Sequence, residues 1–96
     1  MRRAAKIDAN QWQVVEAMRA IGATVHSLAA LGDGCPDLLV GYNGRTVLME
    51  VKDGNKPQWE IRLTPAQEKW HKSWTGSTLA IVYGPEGAIK LLRSLR

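Results

Sequence analysis

Apolar positions recur along the chain with two periods, and the switches between them mark out seven elements. In the first, Val14, Val15, Ala17, Met18 and Ile21 gather on one side at 100° per residue. This spacing predicts a helix over 9–21, with Asp8 as N-cap, Gln11 completing a capping box and Gly22 as the stop. Residues 23–28 alternate in strand fashion, which sets Thr24, His26 and Leu28 on one face. The small, Gly-rich stretch 29–34 predicts a loop. Two apolar runs, 38–42 and 45–51, then flank Asn43-Gly44, a strong short-range hairpin signal. Gly, Asn, Pro and charged residues over 53–62 predict a second loop. Thr64-Pro65-Ala66-Gln67 reads as a helix start, with Thr64 as N-cap, Pro65 at N1 and Gln67 closing a capping box. That helix should run to Trp74 and stop near Gly76, with Trp70 and Trp74 sharing a core-facing side and His71 and Lys72 in solvent. Residues 77–83 are nearly all apolar and predict a strand inside the sheet. Gly84-Pro85 should break it, and 87–96 should form an amphipathic helix with Ile89, Leu92 and Leu95 inward. The order helix, three strands, helix, strand, helix predicts an α/β fold with a mixed sheet and helices on its faces.

The hairpin carries the chemistry. A two-residue turn at Asn43-Gly44 pairs Tyr42 with Arg45, Val40 with Val47 and Leu38 with Met49. One step further it opposes Asp37 and Glu50, at a Cα separation of about 4.5–5.5 Å. A three-residue loop would offset the two acids. Like charges directly opposite are unfavourable in a sheet unless a cation lies between them, and the bare pair should carry a raised carboxyl pKa. Lys52 is two residues past Glu50 and so shares its face. Pro36 loses no ladder bond at a strand start and fixes where Asp37 emerges. Two acids and a lysine at one sheet edge form an arrangement suited to metal-dependent phosphodiester hydrolysis.

Composition narrows the setting. With 96 residues, 45% of them hydrophobic, the chain suits one ordered domain over 1–96. Its formal charge of +4 favours an anionic partner, nucleic acid among them. The single cysteine, Cys35, cannot close an intrachain disulfide, which suits a reducing, cytoplasmic setting. No apolar run has the length of a membrane span, and the basic start lacks the apolar region of a signal peptide. Several side chains carry two readings each. Arg2, Arg3 and Lys6 form either a phosphate-touching arm or a solvated terminus. Glu16 either pairs with Arg19 on a wet face or leans toward the acidic pair. Lys56 and Arg62 could meet phosphate and Trp59 could stack on a base, or Trp59 covers apolar surface or an interface. His26 reads more readily as a hydrogen-bonded structural residue than as a catalytic one. Gln67 either caps its helix or also orients a water or phosphate.

Pro36-Asp37 followed by Glu50-Val51-Lys52, with a glutamine helix after them, resembles the PD-(D/E)xK nuclease superfamily. Within it, the chain looks most like the VRR-NUC family, the virus-type replication-repair nuclease module. The matching pieces are Gly34-Cys35-Pro36-Asp37-Leu38-Leu39, Glu50-Val51-Lys52 and Leu63-Thr64-Pro65-Ala66-Gln67. The resemblance implies a restriction-endonuclease-like αβββαβ core with a short C-terminal helix. It implies an endonuclease in which Asp37, Glu50 and the Val51 carbonyl hold Mg²⁺, with Mn²⁺ able to substitute. Lys52 would orient or deprotonate the attacking water, and Gln67 would position that water or Lys52. A first-helix acid usually assists in the family, and Asp8 and Glu16 are the candidates here. The stand-alone relatives, often from phages, resemble junction resolvases, which implies a homodimer that cuts branched DNA such as four-way junctions. A general or flap-type endonuclease is the alternative within the superfamily. A catalytically inactive DNA-binding module is the non-enzyme alternative.

Overall fold

The computed structural model describes residues 9–95. Helix α1 spans Gln11–Ala20, and strand β1 covers Thr24–Ser27. A short 3₁₀ turn follows at Ala29–Leu31. Strands β2 (Leu38–Tyr42) and β3 (Arg45–Val51) make the hairpin. Helix α2 (Pro65–Ser73), strand β4 (Leu79–Val82) and helix α3 (Pro85–Ser94) complete the chain. The sheet order is β1-β2-β3-β4, antiparallel except for the parallel β3–β4 pair. This is the α/β architecture expected, a mixed four-stranded sheet with a C-terminal helix.

The hairpin has the anticipated register, with Tyr42 opposite Arg45, Val40 opposite Val47 and Leu38 opposite Met49. Asn43 and Gly44 both take positive φ, 50° and 76°. A two-residue turn of this kind matches the twist of its flanking strands, which is why the register is firm. Alternation then divides the sheet into two faces. Val25, Leu38, Val40, Val47, Met49, Val51 and Val82 pack with Val14, Val15 and Met18 of α1 and Ala88 and Leu92 of α3 into one core. Burying a side chain of the Val, Leu or Met class contributes about 1.5–3 kcal/mol, so this face carries most of the folding energy. The opposite face carries Leu39, Leu48, Glu50, Lys52 and Ile81.

Several expectations shift. Asp8 lies outside the described residues, and the first helix begins at Gln11 with Asn10 as its N-cap and no side-chain cap bond. Asn10 is occupied elsewhere: its Nδ2 donates to the Lys52 carbonyl at 3.1 Å and the Tyr83 carbonyl at 3.3 Å. It thereby ties α1 to the ends of β3 and β4. The last strand is an edge strand, not an internal one: it pairs with β3 alone, and Ile81 is 37% exposed. The last strand ends before Gly84-Pro85 as expected, but α3 begins at Pro85 and not at 87, because a proline at N1 gives up only an N–H that has no partner there. Its buried residues are Ala88 and Leu92, with Leu91 and, as expected, Leu95 packed against the core. Trp70 and Trp74 do not enter the core. They stack on each other with centroids 5.2 Å apart, and α2 has no buried residue at all. Arg19 donates to the Val25 carbonyl at 2.9 Å, which covers a backbone group of the free β1 edge.

Candidate active site

Asp37 stands at the last residue before β2. Its carbonyl accepts from the Leu28 N–H at 2.8 Å, and its Oδ2 accepts from the Val51 N–H at 2.7 Å. The carboxylate thus takes the place that a strand carbonyl would fill. In a strand, the N–H and C=O of one residue point to the same neighbour. The Val51 carbonyl therefore faces the β2 side as well. Two steps past the Leu38–Met49 pair, the residue across from Val51 is Pro36, which has no N–H to give. The ladder offers this carbonyl no donor. Proline at that position thus leaves an oxygen beside two carboxylates.

Glu50 lies in β3 and Lys52 is the first residue after it, two residues apart on one face. Both are buried, at 1% and 7% exposure, as is Asp37 at 5%. Lys52 Nζ lies 3.8 Å from Glu50 Oε2. The first turn of α2 joins them. Gln67 Oε1 accepts from Lys52 Nζ at 2.8 Å and from the Thr64 N–H at 2.9 Å, while its Nε2 donates to Glu50 Oε2 at 3.2 Å. An ammonium and an amide N–H only donate, and a carboxylate only accepts, so the orientation of this amide is fixed by its partners. Thr64 Oγ1 accepts from the Gln67 N–H at 3.2 Å, which completes the capping box. Gln67 therefore caps its helix and, beyond that, bridges the acid and the lysine.

Helix α2 can come this close because Gly34 is a glycine. Its φ is +83°, and a Cβ there would lie 2.3 Å from the Ala66 carbonyl oxygen. The loop leading into Asp37 thus touches the helix start that carries Gln67.

Two further side chains reach the cluster. Burial, then Glu50, then Asp37 push the Cys35 thiol above its ordinary pKa. His71, expected in solvent, has Nε2 3.8 Å from Glu50 Oε1 and a side chain only 13% exposed. Burial, then Lys52, hold its pKa below the usual value, so the imidazole is neutral at neutral pH. The signal was its spacing: His71 is four residues past Gln67 and so lies on the same side of α2.

The other candidates lie apart. Glu16 is exposed, on the side of α1 turned away from Val14, Val15 and Met18. Asp8, Arg2, Arg3 and Lys6 fall outside the described residues. Arg62 is exposed and Lys56 half-buried on the loop after Lys52, and Trp59 on that loop is 66% exposed. His26 is exposed on β1.

Among the described residues no group of three or more His, Cys, Asp and Glu side chains is arranged to hold a metal ion. What the chain offers is two carboxylates and a backbone carbonyl. That set fits a small, hard divalent cation, which is held by one or two carboxylates and completes its shell with water and phosphate oxygens. It does not fit a soft metal that needs thiolates or several imidazoles.

A scan against protein-family models finds no match, and neither does a search of curated proteins. Among solved structures, the fold matches a chain described as a VRR_NUC domain, with a TM-score of 0.65 and 28% sequence identity. The match covers 90% of this chain and 92% of that one. This likeness over nearly the whole length, with Pro36-Asp37, Glu50-Val51-Lys52 and Gln67 drawn together in space, supports membership of the VRR-NUC family.

Proposed function

We propose that this VRR-NUC domain is a Mg²⁺-dependent DNA endonuclease whose centre is Asp37, Glu50, Lys52 and Gln67. The observation that carries the reading is the single amide of Gln67 bonded to both Lys52 and Glu50, beside the Pro36-Asp37 turn. A buried lysine held next to a carboxylate by a third, neutral side chain is of little use to the core and of much use to an anionic substrate.

The chain's own groups divide the work. Asp37, Glu50 and the Val51 carbonyl would hold the cation, and Mn²⁺ should substitute. When bound, such an ion neutralises phosphate charge and lowers the pKa of a coordinated water. Lys52, its ammonium fixed by Gln67 Oε1, orients the attacking water. It also places positive charge where the phosphoryl oxygens gain negative charge in the transition state. Gln67 keeps Lys52 and Glu50 from collapsing into a tight ion pair, since its amide separates the roles of donor and acceptor. Burial of all three charged residues in a low-dielectric site strengthens each of these interactions. Arg62 and Lys56 lie on the loop that leaves the site and would contact flanking phosphates, with Trp59 available to stack on a base.

The family resemblance further supports a homodimer acting on branched DNA such as four-way junctions. Leu39, Ile81 and Tyr83, exposed at 37%, 37% and 49%, give apolar surface near the site that a second copy would cover. Matched four-way, flap and linear duplexes at one salt concentration, with a measurement of solution mass, test both points. Preferred cutting of the four-way substrate by a dimer is expected. Equal rates on all three substrates would favour the general endonuclease. Lys52→Ala protein that remains folded should lose cleavage of every substrate, and unchanged cleavage would overturn the mechanism.

A further inference from the structure

We propose that His71 is a positioning residue for this centre: together with Gln67, one helical turn earlier, it clamps the Glu50 carboxylate in the orientation that receives the divalent cation. The inference rests on the nuclease reading and extends it to a residue outside the matching motif.

The geometry is two-sided. Gln67 Nε2 holds Glu50 Oε2 at 3.2 Å, and His71 Nε2 faces the other oxygen, Oε1, at 3.8 Å. Each α2 side chain thus addresses a different oxygen of one carboxylate. Residues four apart on a helix are neighbours on its surface, so α2 presents the pair as a unit. His71 Nε2 is buried and has no hydrogen-bond partner. A buried ring nitrogen left in that condition costs free energy, and an approach of about 1 Å would turn the contact into a hydrogen bond. The ring is steadied from behind by Trp70, edge to face at 6.4 Å and 74°. A carboxylate oxygen has two lone pairs, so an oxygen held by a neutral N–H can still bind a metal. Outer contacts of this type typically account for about 10–100-fold in metal affinity or activity.

The test compares His71→Leu, His71→Gln and His71→Asn with the wild-type protein. Mn²⁺ affinity is read without turnover, from tryptophan fluorescence and the metal-dependent rise in melting temperature. The Mg²⁺ concentration for half-maximal DNA cleavage is read separately. His71→Leu should weaken Mn²⁺ binding by about tenfold or more and raise the Mg²⁺ requirement in parallel. The amide of His71→Gln reaches the Nε2 position and should restore most of the affinity, whereas the shorter His71→Asn should not. Folded His71→Leu with wild-type affinity and wild-type Mg²⁺ dependence would overturn the clamp alone. Equal impairment in His71→Gln and His71→Leu would also overturn it, by showing that the ring only packs. Should His71→Leu not fold, equal affinities in the Gln and Asn variants would have the same force. A wild-type protein that neither binds Mn²⁺ nor cleaves would remove the nuclease reading itself, and the clamp with it.

Discussion

The two faces of the sheet are held in opposite ways. On one, α1 and α3 bury apolar side chains against β2, β3 and β4, with Val14, Met18, Val40, Met49, Val51, Ala88 and Leu92 essentially free of solvent. On the other, α2 buries no residue and is tied down by directed polar contacts, chiefly Gln67 to Lys52 and Glu50. The same strand serves both: Met49 and Val51 point into the core while Glu50 and Lys52 point under α2. Period-two alternation therefore lets one seven-residue strand, with the residue that follows it, turn an apolar row to one side and a charged row to the other. The contrast teaches that stability and activity should be separable here by face.

Substitutions on each face can break or sharpen that division. The largest effect should follow Met18→Ala, which empties part of the core and costs about 2–5 kcal/mol. In a domain of this size that lowers the melting temperature by roughly 10 °C or more. Cleavage per folded molecule should not change, and a parallel loss of activity well below the melting transition would blur the two faces. Gly34→Ala comes next. It strains a left-handed backbone and drives a methyl group into the Ala66 carbonyl, at about 1–3 kcal/mol. Because α2 must shift, cleavage should also fall, by up to about 10²-fold, as expected when a catalytic group moves by about 1 Å.

Gln67→Glu is subtler. A glutamate serves a capping box as well as a glutamine, so the start of α2 should survive with stability within about 1 kcal/mol of wild type. The new carboxylate would face Glu50 without a proton to donate, and cleavage should drop about 10–100-fold. A Gln67→Glu protein with full activity would show that only the cap matters. The smallest effect belongs to Leu39→Ser, on the exposed part of the site face. Monomer stability should move by no more than about 0.5 kcal/mol. A larger change that scales with protein concentration would identify Leu39 as part of a subunit interface.

What the sequence disclosed follows the same division between local and distant causes. The hairpin register was legible because Asn43-Gly44 fixes its own turn, and the start of α2 was legible because Thr64, Pro65 and Gln67 act within one turn. The start of α1 was not. Asn10 takes its role from carbonyls of Lys52 and Tyr83, 42 and 73 residues away, which no local pattern announces. Trp70 and Trp74 have core-like spacing, but α2 sits over a polar sheet end, so the rings find each other instead. His71 escaped because its neighbours are charged, although its place four residues past Gln67 pointed to the site. The close approach of Gly34 to Ala66 was likewise invisible, since a glycine in a loop gives no sign of which backbone lies against it.

The central claim, that the α2 face is a metal-dependent nuclease centre, meets its most direct test in Glu50→Ala. Wild-type and folded Glu50→Ala protein would be compared on one DNA substrate, with Mg²⁺ and with chelator. Cleavage by the wild type only with Mg²⁺, and a loss of about 10³-fold or more in Glu50→Ala, is the predicted result. Full cleavage by folded Glu50→Ala, or by the wild type in chelator, would contradict the account.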